Sequence, residues 1–195
     1  MGRCQFVVLC RTYGNPQCHL FYVCTQRLDS EKKLVELAAI DLLIGVGNRR
    51  ALSESVDKLL MSHKRKQARS SLISFDIDHF KSIKDSYGHL AGDRLLVAIT
   101  EIICGRIRLT DNLYRQGGEE FIIVAMNTNQ DVAAKLAEEL RMLVEQSTLH
   151  NECGITISFG VAVQEDHESQ QDWMNRADTA LYQAKVSVRN TVCVA

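Results

Sequence analysis

The sequence lacks an excess of either charge. Its 23 Lys and Arg are matched by 24 Asp and Glu, a net charge of −1 over 195 residues. Such a balance gives nucleic acid no electrostatic footprint, and there is no acidic tail. Long apolar runs are also missing. Phe6–Val7–Val8–Leu9–Cys10, the longest early one, is far too short for a membrane helix and poor as a signal-peptide core. The expectation is a chain with no membrane segment and a cytoplasmic location. Met1–Gly2 begins like a myristoylation signal, but Phe6 stands where that signal needs Ser or Thr. No CxxC spacing occurs among the seven cysteines. Cys4, Cys10, Cys18 and Cys24 cluster near His19, and thiols of a short hairpin in a reducing compartment are a simpler reading than a zinc site. Cys104, Cys153 and Cys193 are expected as small buried apolar residues. There is no internal repeat. What is present, 46% hydrophobic and 24% charged, is the composition of a globular protein long enough for a sizeable core.

Residues 4–10 and 18–24 read as short strands around the turn Tyr13–Gly14–Asn15–Pro16. Residues 26–43 carry Leu28, Leu34, Leu37, Ala38 and Leu42 among charges, the spacing of a connector helix or dimer contact. The chain thus divides into an N-terminal segment over 1–40, of a kind that packs on something else or is the remnant of a sensory domain, and a compact unit over 41–195. In that unit Leu72–Ile73–Ser74–Phe75 is a buried-type strand ending at Asp76. A short helix over 79–87 stops at Gly88, and 93–107 has helical spacing. Residues 112–116 and 119–125 are strands joined by Gly117–Gly118, a pair suited to positive φ in a tight hairpin. A helix over 131–146, a strand over 154–163, a helix over 171–187 and a short strand over 191–194 follow. The pattern predicts an α+β fold, a mostly antiparallel sheet with helices on one face.

The stretch RQGGEEF places Glu119 and Glu120 at the mouth of a very apolar strand. Alone, they are a solvated hairpin lip. The segment FDIDHFK adds Asp76 at a strand exit, with Asp78 two residues on, where Asp suits a helix N-cap. A strand-end aspartate beside a hairpin-tip glutamate is the pattern of a palm-type nucleotide site, whose hard oxygens suit magnesium on a triphosphate. The helix starting at His79–Phe80–Lys81 offers free backbone N–H groups to an anion, with Lys81 adding charge. Lys185 and Arg189, four apart, share a helix face if the last helix reaches that far. Without a ligand, they are a basic helix C-terminus.

Five separated motifs in order, DLLIGVGNRR, FDIDHFKSIKDSYGHLAGD, RLTDNLYRQGGEEF, ISFGVA and RADTALYQAKVSVRN, resemble the GGDEF family of diguanylate cyclases over about residues 41–193. The resemblance implies a palm-like nucleotidyl-cyclase domain in a bacterial signalling protein. Two GTP would be joined into cyclic di-GMP with release of pyrophosphate, by two facing domains of a homodimer. It implies Mg2+, with Mn2+ as the alternative ion, on Asp76, Glu119, Glu120 and the carbonyl of Ile77. Glu120 would accept the 3′-hydroxyl proton or assist the metals. Lys81, Lys185 and Arg189 would stabilise phosphate charge, the turn at His79 and Phe80 would bind phosphate through backbone, and His89 and Asp93 would line the guanine and ribose pocket. Gly117 and Gly118 would let base and phosphates pass close to the backbone. Arg108 and Asp111 match the family's inhibitory RxxD site for product.

Three positions depart from the family pattern. Lys84 replaces an asparagine that contacts guanine, and a lysine can only donate. Val188 replaces a glycine, so strain is expected there if its φ is positive. Ile44 and Gly47 replace threonine and proline in the entry turn, which predicts a looser link to the preceding helix. A catalytically degenerate domain that binds cyclic di-GMP or GTP as a receptor is the alternative reading.

Overall fold

The computed structural model describes residues 39–66, 69–149 and 154–195. The expected hairpin with its four cysteines, residues 26–38 of the connector and Cys153 lie outside the described residues. Residues 39–43 of the expected connector helix form an isolated bridge and a turn instead.

Among the described residues the order is β1 (Gly47–Asn48), α1 (Arg49–Lys66), β2 (Ser71–Ile77), α2 (Phe80–Tyr87), α3 (His89–Arg106), β3 (Asn112–Gly117), β4 (Glu120–Ala125), α4 (Gln130–Glu145), β5 (Ile157–Val163), α5 (Gln170–Ser187) and β6 (Val192–Val194). The strands form one six-stranded sheet in the order β1-β3-β4-β2-β5-β6. β2 pairs antiparallel with β4 and β5, β3 pairs antiparallel with β4, and the edge pairs β1–β3 and β5–β6 are parallel. The expected α+β class and the mostly antiparallel sheet are both found.

Helices cover both faces, not one. Ile73, Phe75 and Ile77 of β2 pack with Phe80, Ile83, Leu96, Ile103 and Leu140 from α2, α3 and α4. The alternate residue Leu72 packs with Leu52 and Val56 of α1 and Trp173 and Ala177 of α5. The reason lies in the strands: all of β2 is buried, as is β4 after Glu120. A strand apolar on both sides needs a cover on both sides.

Helix α1 was not among the expected elements, although Leu52, Val56 and Leu59 recur on one face. Its start is capped by the Asn48 side-chain oxygen, which accepts from the N–H groups of Arg50 and Ala51 at 3.0 and 3.2 Å. Helix α3 begins at His89 rather than 93. Gly88, with φ 84°, breaks the chain between α2 and α3. Strand β5 starts at Ile157, three residues later than expected. Cys104 is exposed on α3 and Cys193 only half-buried on the edge strand β6, so neither is the buried apolar residue expected.

Candidate active site

The central strands set the register of the carboxylates. Asp76 lies directly opposite Glu120 on β4 and opposite Ser158 on β5. Residues opposite one another in a ladder project to the same face. One step back on each strand, Phe75 and Phe121 stack with centroids 4.9 Å apart and planes within 2°, and Phe159 tilts against Phe75 at 5.2 Å. This aromatic layer on the opposite face locks the pairing that places the two acids together. Ile77 ends β2 with its side chain buried, so only its backbone is available to a ligand.

The hairpin differs from the expected one in detail. Gly117 belongs to β3 and pairs with Glu120, and a bulge falls between Arg115 and Gly117. Glu119 therefore occupies the turn with Gly118, whose φ is 55°. The space beside both glycines is open, so a backbone-hugging ligand meets no side chain there. Arg115 fastens the tip. Its Nε and Nη2 donate to the Gly118 carbonyl at 2.9 and 2.7 Å, and its Nη1 donates to both Asp41 oxygens at 3.2 and 3.1 Å. Asp41 in turn accepts from the N–H groups of Leu43 and Ile44. The entry turn is thus tied to the hairpin tip, while the expected looser link to the preceding helix lies outside the described residues. Gly47 suits its place, since a Cβ there would lie 2.4 Å from the Tyr114 ring.

Charge at the site is only partly balanced. Lys185 Nζ contacts Asp76 Oδ2 at 2.7 Å. Burial nonetheless pushes the Asp76 carboxyl up to about 6; Lys185 opposes the rise, while Glu119 and Glu120 add to it. Asp178 is also raised by burial, although the Ser74 hydroxyl donates to it at 3.1 Å and Lys185 favours its charged form. One lysine therefore serves several acids, and the site has room for more positive charge.

At the start of α2, His79 is left-handed with φ 57° and precedes the helix instead of belonging to it. Phe80 is buried beneath the first turn, and Lys81 is exposed. Lys84 lies with its ammonium 4.6 Å above the Phe80 ring. Its stem crosses Gly92, where a Cβ would be 2.7 Å from Lys84 Cγ. His89 is exposed in the first turn of α3, and Asp93 is half-buried in the next. Lys185 and Arg189 do not share a helix face, because α5 ends at Ser187. Val188 has φ −133° and is not strained; the left-handed residues are Arg189 and Asn190.

Asp78 is no helix cap. It is buried and accepts from the hydroxyls of Thr156 and Ser158, both at 2.7 Å, and from the Asn190 N–H at 3.0 Å. Asp111 is likewise buried and engaged, accepting from the N–H groups of Met126 and Arg108 at 3.2 and 3.3 Å. Arg108 is exposed beside a cavity of about 180 Å³ that is also lined by Arg106, Lys135 and Glu139. Arg106 and Glu139 form an ion pair there. The sequence pattern did not mark Arg115, Asp41 and Asn190 as site-building residues, although all three lie within the motifs quoted above.

Among the described residues no three candidate ligands stand close enough to hold a metal unaided. The donor set still fits magnesium, which commonly takes one or two carboxylates and completes its shell from phosphate and water. The under-compensated acids at Asp76, Glu119 and Glu120 match that demand.

A family model described as Diguanylate cyclase, GGDEF domain, matches residues 38–191. Diguanylate cyclase DgcS of Shewanella oneidensis is 36% identical over 153 residues, 78% of this chain and 51% of that protein. Diguanylate cyclase A of Treponema denticola is 35% identical, covering 86% of this chain and 52% of that protein. The chain thus spans about half the length of these curated relatives. The coiled coil and GGDEF domain of DgcB from Caulobacter crescentus, solved in complex with c-di-GMP, superposes with a TM-score of 0.81 at 28% identity, covering 92% of this chain and 97% of that one. The active GGEEF domain of a diguanylate cyclase from Vibrio cholerae gives a TM-score of 0.71 at 35% identity, over 75% of this chain and 96% of that one.

Proposed function

The chain belongs to the GGDEF family of diguanylate cyclases, and we propose that it condenses two GTP into cyclic di-GMP, each GTP held by one domain of a homodimer. The observation that carries this reading is the ladder pair Asp76–Glu120, set beside the open backbone of Gly117 and Gly118, with Lys185 in contact with Asp76. In each half-reaction a 3′-hydroxyl oxygen bonds to the α-phosphorus of the facing GTP. The bond from that phosphorus to the β-phosphate bridging oxygen breaks, and pyrophosphate leaves. The hydroxyl proton passes to a base, for which exposed Glu120 is the candidate.

Asp76, Glu119, Glu120 and the Ile77 carbonyl would hold Mg2+ or Mn2+, which lowers the pKa of the attacking hydroxyl and neutralises phosphate charge. Lys81 and the first-turn N–H groups of α2 receive the triphosphate, where the helix dipole favours an anion. Lys185 is shared between Asp76 and the phosphates, and Arg189 adds a second cation. His89, Asp93 and Lys84 face the base from the α2–α3 hairpin, with Asp93 as the acceptor that Lys84 cannot be. Arg108, beside its cavity, binds product and inhibits. The complex of the Caulobacter relative with c-di-GMP supports a product-binding surface in this fold.

The test is incubation of the purified chain with magnesium and GTP, followed by chromatography of the nucleotides. Cyclic di-GMP with pyrophosphate is expected from the wild type, and none from Glu120→Gln, which exchanges only a charge and should unfold at the same temperature. No product, with cyclic di-GMP still bound in a titration, would move the chain to the receptor class.

A further inference from the structure

Arg189 and Asn190 are consecutive left-handed residues, φ 55° and 45°, and neither is glycine. Such a conformation is disfavoured for a residue with a side chain and persists only where its surroundings hold it. The hold here is unusually complete. The Asn190 N–H donates to Asp78 at 3.0 Å, its side-chain Nδ2 donates to Glu145 at 2.7 Å, and its Oδ1 accepts from Arg141 Nη1 at 3.0 Å. Arg141 is itself fixed by Glu138 at 2.7 Å and Glu145 at 2.8 Å. The Arg189 N–H closes back onto the Ala184 carbonyl at 3.1 Å. Asp78, two residues beyond Asp76, also takes the hydroxyls of Thr156 and Ser158. One buried carboxylate thus joins the end of β2, the approach to β5 and the turn after α5.

The contrast lies with Arg189 itself. Its guanidinium is exposed and makes no hydrogen bond or ion pair with the described residues. Every group beneath it is satisfied, and its own end is free. A strained, fully bonded base under one unengaged cation suits a group held ready for an anion, because the ordering cost is met before the ligand arrives.

We propose that Asn190, held by Asp78, Arg141 and Glu145, is a positioning residue that aims Arg189 at the phosphates of bound GTP. This rests on the cyclase reading only for the identity of the ligand.

The test is a double-mutant cycle on kcat/KM with Asn190→Ala and Arg189→Ala. Asn190→Ala should lower kcat/KM about tenfold in the native background and less than about twofold in the Arg189→Ala background, the non-additivity of residues that act as a unit. Asn190→Gly keeps the left-handed backbone and the N–H to Asp78, and should restore part of the loss. It also serves in the cycle if Asn190→Ala fails to fold. Equal losses in both backgrounds would overturn the proposal, since a general packing role does not depend on Arg189. If the wild type does not turn over GTP, the cyclase reading fails. The same cycle is then read as affinity for a fluorescent GTP analogue: coupling supports the mount, while additivity or absence of binding overturns it.

Discussion

Asp76 faces two demands at once. In the proposed reaction its carboxylate must be ionised to hold a metal, yet burial raises it to about 6 even with Lys185 at 2.7 Å. With the folded value above the unfolded 3.8, the fold prefers the protonated acid. The stability from this group is fully present below the unfolded value and is lost as pH rises through about 6. A shift of this size corresponds to about 3 kcal/mol. Asp76→Asn should therefore raise the unfolding free energy of the metal-free protein, read from urea denaturation at pH 7.5, by up to that amount, and the gain should shrink towards zero at pH 4. A gain that is flat with pH would remove burial of the charge as its source. Lys84 presents a smaller conflict, between packing and base recognition. Lys84→Asn should lower KM for GTP several-fold while costing about 0.5–1 kcal/mol of stability from the lost contact with Phe80; an unchanged KM would mean that the base does not reach this position. The pairing of Asp76 with the hairpin acids was legible in the sequence, because a strand exit and a two-glycine turn are local signals. The work of Asp78 was not. An aspartate ahead of a helix looks like a cap, and its real partners, Thr156, Ser158 and Asn190, lie 78, 80 and 112 residues away.

At the level of elements, α5 crosses β5 with its backbone directly over Gly160. A Cβ on Gly160 would lie 2.2 Å from Leu181 N and 2.3 Å from the Ala177 carbonyl, both backbone atoms that cannot swing aside. Gly160→Ala should therefore push α5 off the sheet, at a cost of about 3 kcal/mol or more. The same shift would withdraw Lys185 from Asp76, so turnover should fall along with the denaturant midpoint. A variant as stable as the wild type would show that the crossing can relax. This glycine stood in the quoted motif ISFGVA, but strand alternation says nothing about which helix presses on the strand. The same limit explains the second helical layer. Continuous apolar strands implied burial, yet only the contacts of Leu72 and Ile122 with α1 and α5 reveal a cover on the second face. The early start of α3 was hidden by Gly88 and Gly92, which weaken a helical pattern on paper. In the fold, Gly88 breaks the chain and Gly92 admits the stem of Lys84.

For the molecule as a whole, the proposed product site and the catalytic edge stand at opposite ends of one strand. β3 starts just after Asp111 and ends at Gly117, a span of six residues or roughly 20 Å. That separation lets inhibition be removed without touching chemistry. Arg108→Ala deletes an exposed guanidinium that no catalytic group contacts, so the initial rate should stay within about twofold, while the cyclic di-GMP concentration for half inhibition rises at least about tenfold. Asp111 belongs to the same motif but should behave differently. It is buried, and it accepts from the backbone of Met126 and Arg108. Asp111→Ala leaves two N–H groups without that acceptor and should cost about 1–3 kcal/mol of stability in addition to any effect on inhibition. The two variants therefore separate product recognition from the loop that supports it. Inhibition that persists in Arg108→Ala, with Asp111→Ala destabilised as expected, would reduce this motif to a structural turn and place product elsewhere on the domain.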